Sequence, residues 1–414
     1  MGTARYVGMC GAMTAIGADP SAVIDNPAGL GLYRRSEILL TFDYTLDYTR
    51  QPNTTLRGRT RQFMVPQGSI VFCMPTGTLS QGVLSYSFMF SYNRLQSFCR
   101  VFNAAGADQP SLGRLFESTG EDMKIAFNTD LYNRTNKLLI RESGYVNEYT
   151  LDWAMNYSNR LYWGIGLRIH SFAFSSDGNF EERFDYTNAQ GQQAYNVSAT
   201  GLTFNGADCA LATGVIYRPA SWVRLGFGIE TPSIGALYKG SMGVFEARKD
   251  TIGVSYAPDK RPRYTDYHQP LHTSTSVAFQ VGYYALLSLQ YDYWHGAQRQ
   301  DKHSLRGGVE VIPIPGMYIN AGYAFESSFK PQSQDLTFEI DPELKRQDAY
   351  FQYTRWSQYI GTAIGYRGKD FIAQVGYQYR WQTLSLYAHQ NAMDCPYDIR
   401  TNTHRIVLTL GWHR

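Results

Sequence analysis

The stretch ILLTFDYTLDY, residues 38–48, separates its side chains into two kinds. Every even-numbered position carries an apolar or aromatic side chain, whereas the odd-numbered positions from 41 to 47 carry Thr or Asp. Successive side chains of a strand point to opposite faces, so this period of two predicts a β-strand with one apolar and one polar face.

The same alternation returns at intervals to the end of the chain and predicts about fourteen strands, the first over residues 36–50. Tight turns alternate with longer connections between these strands. Long connections on one side and short turns on the other are typical of outer-membrane barrels. The long connections are predicted at 51–65, 99–142, 175–200, 248–269, 297–302, 327–355 and 389–401.

Composition favours a membrane barrel over a helical membrane protein. The 414 residues include 32 Tyr, 22 Phe and 7 Trp, yet the mean hydropathy is only −0.34. A membrane helix needs about 20 apolar residues in a row, and the sequence contains no such run. A soluble β-sandwich also alternates, but its buried faces would be mostly aliphatic rather than crowded with Tyr, Phe and Trp. We therefore predict an all-β fold, a transmembrane antiparallel β-barrel.

The first 35 residues, called the N-terminal segment here, have a different character. Asp19 before Pro20 is a good helix start, with an acceptor at the N-cap and proline in the first turn. Asn26-Pro27-Ala28-Gly29 has the composition of a turn. The segment is too long for a simple leader into the first strand. We predict a short plug inside the lumen over residues 1–35, followed by the barrel over 36–414.

This segment, GTARYVGMCGAMTAIGADPSAVIDNPAGLGLYRR, resembles the amino-terminal signature of the FadL/TodX family of outer-membrane transporters, in the form common in Bacteroidota. The resemblance implies a fourteen-stranded barrel closed by an N-terminal hatch with the Asn26-Pro27-Ala28 turn. It also implies uptake of long-chain fatty acids or other hydrophobic compounds through a gap in the wall. PorV-like relatives have a similar barrel but serve secretion machinery, and others are subunits of assembly complexes.

Two further groups of candidate site residues follow from the pattern. The loop 99–142 carries Leu112, Leu115 and Phe116 at helical spacing, which could contact a ligand or partner or simply pack over the barrel mouth. Charged residues on the polar strand faces suit a lumen braced by ion pairs, with a role in permeation as the alternative. These are Arg168, Arg224, Glu230, Asp292, Arg306, Glu310, Arg380 and Arg405.

Signatures of catalysis and cofactor binding are missing from the sequence. It contains no GxSxG, HExxH, P-loop or Rossmann motif, and its five Cys and eight His lack metal-ligand spacing. A net charge of +3 with scattered basic residues gives no footprint for nucleic acid. We expect a protein that is not an enzyme, with no catalytic residues, no cofactor, no metal and no nucleic-acid partner.

Two functions stay open. One is uptake of long-chain fatty acids or other hydrophobic small molecules by plug-gated lateral diffusion. The other is a non-transporting subunit or scaffold of an outer-membrane secretion or assembly machine, with other membrane proteins as partners. Both place the chain among the lipids of the bacterial outer membrane. No signal-peptide pattern follows Met1, so we expect a processed chain with both termini in the periplasm.

Overall fold

The computed structural model describes residues 1–77, 81–108, 133–187, 191, 193–249, 252–256, 263–267, 269–295, 301–328, 351–388 and 396–413. The N-terminal segment contains α1 (Ala4–Gly8), α2 (Pro20–Asp25) and a 3-10 helix (Pro27–Leu32). None of the helices in these ranges is long and apolar enough to cross a membrane.

Everything after the N-terminal segment is built from strands joined by turns and connections. The strands are β1 (Glu37–Arg50), β2 (Arg57–Pro75), β3 (Val83–Ser97), β4 (Arg100–Gly106), β5 (Thr135–Tyr157), β6 (Leu161–Thr187), β7 (Gln193–Ala220), β8 (Val223–Glu230), β9 (Ile234–Lys249), β10 (Ile252–Tyr256), β11 (Arg263–Tyr267), β12 (Leu271–Val281), β13 (Ala285–His295), β14 (Lys302–Ile314), β15 (Met317–Ser328), β16 (Phe351–Arg367), β17 (Phe371–Tyr387) and β18 (Tyr397–His413).

These strands form a single antiparallel sheet that closes on itself, because β1 pairs with β18 along its whole length. Some barrel strands are interrupted. β3 continues as β4 along β5, β8 continues as β9 along β7, and β10 to β12 follow one another along β9 and β8. Counted as continuous strands, the described residues form the closed 14-stranded barrel that the alternation predicts.

The apolar faces of the strands point outward. On β1, Ile38 is 56% exposed while its neighbour Leu39 is 3% exposed, and Thr41 and Asp43 are fully buried. Large apolar side chains are exposed in the same way around the ring, for example Leu151 and Ile406. A two-sheet soluble protein would bury these faces, whereas a membrane barrel exposes them to lipid.

The predicted bounds of most long connections were too wide. Strands extend into the predicted connections 51–65, 99–142, 175–200, 248–269, 327–355 and 389–401. The largest difference is at 175–200, where β6 runs to Thr187 and β7 begins at Gln193. The hairpin continues past the level where one face meets lipid, so its ladder persists while the apolar alternation fades.

At the long-connection end, β4 turns inward and lies inside the wall. Thr49, which faces the lumen, donates its hydroxyl to the carbonyl of Val101 at 2.8 Å. Gln51 exchanges two 2.7 Å hydrogen bonds with the backbone of Ala105. A buried apolar cluster then joins β4, β5 and β6 to β17 and β18, which are not their neighbours in the ring. The cluster therefore crosses the mouth. Its members are Phe102, Ala104, Leu138, Ile140, Phe180, Leu384, Leu386, Ala388, Tyr397 and Ile399.

Candidate functional site

The local sequence of the N-terminal segment fixes where its helices begin. Asp19 is the N-cap of α2 and Pro20 its first residue, as predicted. One carboxylate oxygen of Asp19 accepts from the Ser21 amide at 2.9 Å, and the other accepts from the Thr3 hydroxyl at 2.7 Å. Burial raises the pKa of the Asp19 carboxyl, while Arg5 and these two hydrogen bonds act in the opposite direction.

Asn26 links two parts of the N-terminal segment to the barrel wall. Its side-chain oxygen accepts from the amide of Ala28 at 3.0 Å, which starts the 3-10 helix at Pro27. Its side-chain nitrogen donates to the carbonyl of Thr14 at 3.1 Å and to the carbonyl of Val215 on β7 at 3.4 Å. Asn26 is fully buried. One Asn26 hydrogen bond therefore lies within the predicted turn at Asn26 to Gly29, and two fix the turn to Thr14 and to the wall.

Glycines on the inner faces of the strands allow the N-terminal segment to approach the wall closely. A Cβ at Gly164 would lie 2.5 Å from the carbonyl carbon of Pro27, and a Cβ at Gly226 would lie 2.8 Å from Cα of Ala15. No side chain fits in such gaps. The inner-face glycines whose missing side chain would meet the segment are Gly164, Gly214, Gly226, Gly228, Gly308, Gly322, Gly361 and Gly376.

Charged lumen residues hold the segment in place. Glu310 accepts two hydrogen bonds from Arg5, at 2.7 and 2.9 Å. Arg168 is fully buried, pairs with Asp152 at 2.6 Å and donates to the carbonyl of Val23 at 3.1 Å. Arg224 donates to the carbonyl of Ile16 at 3.2 Å. These predicted lumen charges contact the N-terminal segment as well as the wall.

Arg306 connects the wall to the N-terminal segment at a second place. Its guanidinium lies 3.1 Å from Asp292 and 3.6 Å from Asp25 of α2, and it donates to the hydroxyl of Tyr6 at 3.2 Å. The Tyr6 hydroxyl in turn donates to Asp25 at 2.7 Å. Glu230 is placed opposite His272 in the β8–β12 register.

Backbone pairing between β2 and β3 is limited to the half of the two strands that lies near the short turns. It ends at Gln67 opposite Asn93, although both strands continue toward the long-connection end. Pro66, which is the neighbour of Gln67 within β2, lies at a shift in the β1–β2 register. Proline has no backbone N–H and cannot donate a hydrogen bond to a neighbouring strand. A second register shift on β3 falls between Arg94 and Gln96. We call this unpaired stretch, residues 57–66 against 94–97, the β2–β3 seam.

A cavity of about 480 Å³ lies beside this seam. Gln62 and Met64 of β2 and Leu95 of β3 line it, together with Tyr6 and Cys10 of the N-terminal segment. Across the seam, the Ser97 hydroxyl donates to the side chain of Gln62 at 2.7 Å. The cavity thus reaches from the segment to the part of the wall where backbone pairing is missing.

Cations outnumber acids among the described residues that line the cavity. The acids are Asp47 and Glu326, and the cations are Arg100, Lys302, Arg306, Arg380 and Arg405. Lys302 is 3.0 Å from Glu326, and Arg405 Nε is 2.9 Å from Asp43.

Arg100 and Arg380 differ from these two cations. Within the described ranges neither has a carboxylate oxygen at ion-pair distance. Arg380 donates to Thr403 at 3.3 Å, but its buried Nε has no partner there. The cavity is therefore suited to an anionic group.

Sequence reasoning identified Arg306, Arg380 and Arg405, but missed Arg100, Lys302 and the inner-face glycines. The glycines carried a usable signal, because they recur on the polar face of strand after strand. Arg100 carried none, since it falls in a predicted loop. Leu112, Leu115 and Phe116 lie outside the described residues.

Among the described residues, no group of three His, Cys, Asp or Glu side chains could hold a metal ion.

Comparisons with known proteins agree on the fold. No protein-family model and no curated protein sequence matches the chain. A FadL homologue from Pseudomonas aeruginosa has a TM-score of 0.60 at 11% identity, covering 100% of this chain and 98% of that one. The toluene transporter TbuX of Ralstonia pickettii has a TM-score of 0.54 at 14% identity, covering 99% and 98%. The toluene transporter TodX of Pseudomonas putida has a TM-score of 0.52 at 12% identity, covering 99% and 97%.

Proposed function

We propose that this chain, which has the barrel fold of these FadL-type transporters, takes up long-chain fatty acids or related amphiphiles across the bacterial outer membrane. The observation that carries the proposal is the cavity beside the β2–β3 seam. A strand pair without ladder hydrogen bonds can separate without breaking backbone pairs. A molecule in the cavity would therefore have a route sideways into lipid.

The charges around the cavity favour an amphiphile over a plain hydrocarbon. A carboxylate head placed between Arg100 and Arg380 would come within ion-pair distance of these guanidiniums, as no carboxylate oxygen of the described residues does. Charged hydrogen bonds of this kind stabilise by about 1.5–3 kcal/mol each. A toluene-like molecule has no oxygen that could accept such a charged hydrogen bond.

The seam offers apolar surface to the tail of the same molecule. Met64 and Leu95 line the cavity from the two edges of the seam, and Phe63 is 68% exposed on the lipid side of β2. Transfer of the tail from water would contribute about 0.8 kcal/mol per buried methylene. The tail would therefore favour the seam and the head the cavity.

The N-terminal segment would act as the plug of this transporter. It lies on the short-turn side of the cavity and contacts Gly164 and Glu310, and in this proposal it closes that route. We propose that the short turns and both termini face the periplasm and the long connections face outward, as in other outer-membrane barrels. The ligand then leaves through the wall.

A reversible cross-link across the seam tests this proposal. In a Cys99→Ser background, a short bis-methanethiosulfonate reagent should join Gln62→Cys to Ser97→Cys, because the native Gln62 side-chain oxygen reaches the Ser97 hydroxyl at 2.7 Å. Uptake of a fluorescent long-chain fatty acid into expressing cells should fall after cross-linking and recover after reduction. The wild-type barrel should take up the probe under both conditions.

The matched control is Ser69→Cys with Ser91→Cys, which are directly opposite in the paired half of β2 and β3. A bond there joins strands that are already hydrogen-bonded, so uptake should not change. Undiminished uptake through a cross-linked seam would refute the lateral route. No uptake by the wild-type protein would refute transport and favour a subunit or scaffold of an outer-membrane machine.

A further inference from the structure

A row of arginines crosses three neighbouring strands on the outside of the barrel. Arg50 of β1 is directly opposite Arg400 of β18 on one side and Arg57 of β2 on the other. All three side chains are exposed. Arg59 and Arg61 continue the exposed face of β2 below Arg57, and Arg59 stacks on Tyr48. We call Arg50, Arg57 and Arg400 the arginine row.

Like charges at directly opposite positions of a sheet destabilise it. The described ladder of β5 and β6 at the same end of the barrel has the opposite arrangement. On the exposed face of β5 and β6, Arg141 is opposite Asp177 and Lys137 is opposite Glu181. The arginine row therefore departs from the pattern of the same barrel.

The described residues provide no acid to neutralise the row. The nearest acid on the outer face of β18 is Asp398, which is 2.9 Å from Arg355. Asp43 and Asp47 of β1 are turned into the lumen, where Asp43 pairs with Arg405 and Asp47 lines the cavity. Across the described ranges, no carboxylate oxygen is within ion-pair distance of the three arginines.

The row sits at the upper border of the apolar band. From Ile38 to Tyr48 the outward side chains of β1 are apolar or aromatic, a length of about 33 Å at about 3.3 Å per residue. At a strand tilt of about 40° this is about 25 Å along the membrane normal, the usual height of the band. Arg50 is the next outward residue of β1. On the neighbouring strands the outward polar residues begin lower, with Arg61 of β2 and His404 of β18 opposite Leu46. The row therefore lies on the headgroup side of this border.

We propose that the arginine row binds the phosphate of a lipid in the outer leaflet. The planar guanidinium bonds phosphate in a bidentate manner, and the anion would remove the repulsion between the three cations. The lipid's acyl chains would lie along Phe63 and Tyr44, which are exposed below the row. The assignment rests on the orientation proposed above, with the long connections outward.

The test compares lipid binding by the wild type and by one triple variant in detergent micelles. This arginine-row variant combines Arg50→Gln, Arg57→Gln and Arg400→Gln. The probes are lipid A with both phosphates, the same lipid after dephosphorylation, and sodium phosphate. The wild type should prefer the phosphorylated lipid, and the triple variant should lose about fivefold in apparent Kd for each arginine removed, which corresponds to about 1 kcal/mol per basic side chain. Equal binding of both lipids by the wild type would overturn the proposal, as would competition by sodium phosphate at the same concentration.

The control is a second triple variant, which combines Lys137→Gln, Arg141→Gln and Arg183→Gln. It removes the same number of positive charges, but from side chains that already lie beside acids. It should bind phosphorylated lipid A like the wild type, and a matching loss would overturn the proposal by showing a nonspecific charge effect. Without lipid, the Tm of the arginine-row variant should equal or exceed that of the wild type, because repulsion is relieved. A marked fall in Tm would show that the protein itself neutralises the row, and would also overturn the proposal.

Discussion

Arg5 of α1 and Glu310 of β14 form a two-point ion pair inside the barrel, with Arg5 Nε 2.7 Å from one carboxylate oxygen and Nη2 2.9 Å from the other. Their side chains are only 13% and 8% exposed. The pair joins residues 305 positions apart in the chain. Among the described residues it is the shorter of the two ion pairs that join the N-terminal segment to the wall, the other being between Asp25 and Arg306 at 3.6 Å.

Glu310→Ala should loosen the N-terminal segment. The change leaves the buried guanidinium of Arg5 without its carboxylate, which costs about 3–5 kcal/mol for a buried pair. If the segment is a plug, the single-channel conductance in planar bilayers should rise. Asp185→Ala is the control, since it breaks an ion pair with Arg134 in which both side chains are exposed and the attraction is screened by solvent. Equal conductance in wild type and Glu310→Ala would contradict a docking role for this pair.

Gly164→Ala should displace the turn at Pro27. The added methyl would lie 2.5 Å from the Pro27 carbonyl carbon and 2.7 Å from the Ala28 nitrogen, both in the backbone. Overpacking of this kind costs about 1–3 kcal/mol, so Tm should fall. Gly307→Ala is the matched control, because its nearest neighbour would be a leucine methyl at 3.9 Å. Identical Tm values for the two variants would argue against close contact between the segment and the wall.

The Cys10 thiol should react slowly while the N-terminal segment is docked. Burial raises its pKa to about 12, and the thiolate is the reactive form. In a variant that keeps Cys10 alone, maleimide labelling at pH 7 to 9 should be far slower than in the unfolded protein. The labelling rate of the docked thiol should rise about tenfold per pH unit from pH 7 to 9 without levelling off, whereas the rate of an unfolded thiol levels off near its pKa of about 8.5. Glu310→Ala, which frees the segment, should also raise the rate. Rapid labelling of the intact barrel at pH 7 would show that the thiol is not held in this environment.

Arg380→Gln should weaken binding of oleate but not of oleyl alcohol. Removing one charged donor from the cavity should cost about 1.5–3 kcal/mol, or about 10- to 150-fold in Kd. Titration calorimetry with both ligands measures the difference. Arg355→Gln is the control, since Arg355 is 44% exposed and pairs with Asp398 outside the cavity. An equal loss for the acid and the alcohol would contradict a role for Arg380 in binding the head.

The sequence by itself determined the outward face and the number of the barrel strands. Each strand shows period-two alternation, and the apolar face of a sheet must be covered by lipid or by another layer of protein. It also determined the start of α2, because Asp19 and Pro20 act within one helical turn. These features depend on residues that are close together in the chain.

Only the tertiary structure decided where the wall is unpaired and what the lumen holds. Pro66 can be read from the sequence, but the end of the β2–β3 ladder depends on the registers of β1, β2, β3 and β5 together. Likewise Arg100 and Arg380 share one cavity although 280 residues separate them in the chain. Closing the sheet brings such residues together, and alternation along a single strand contains no information about which strand lies across the barrel.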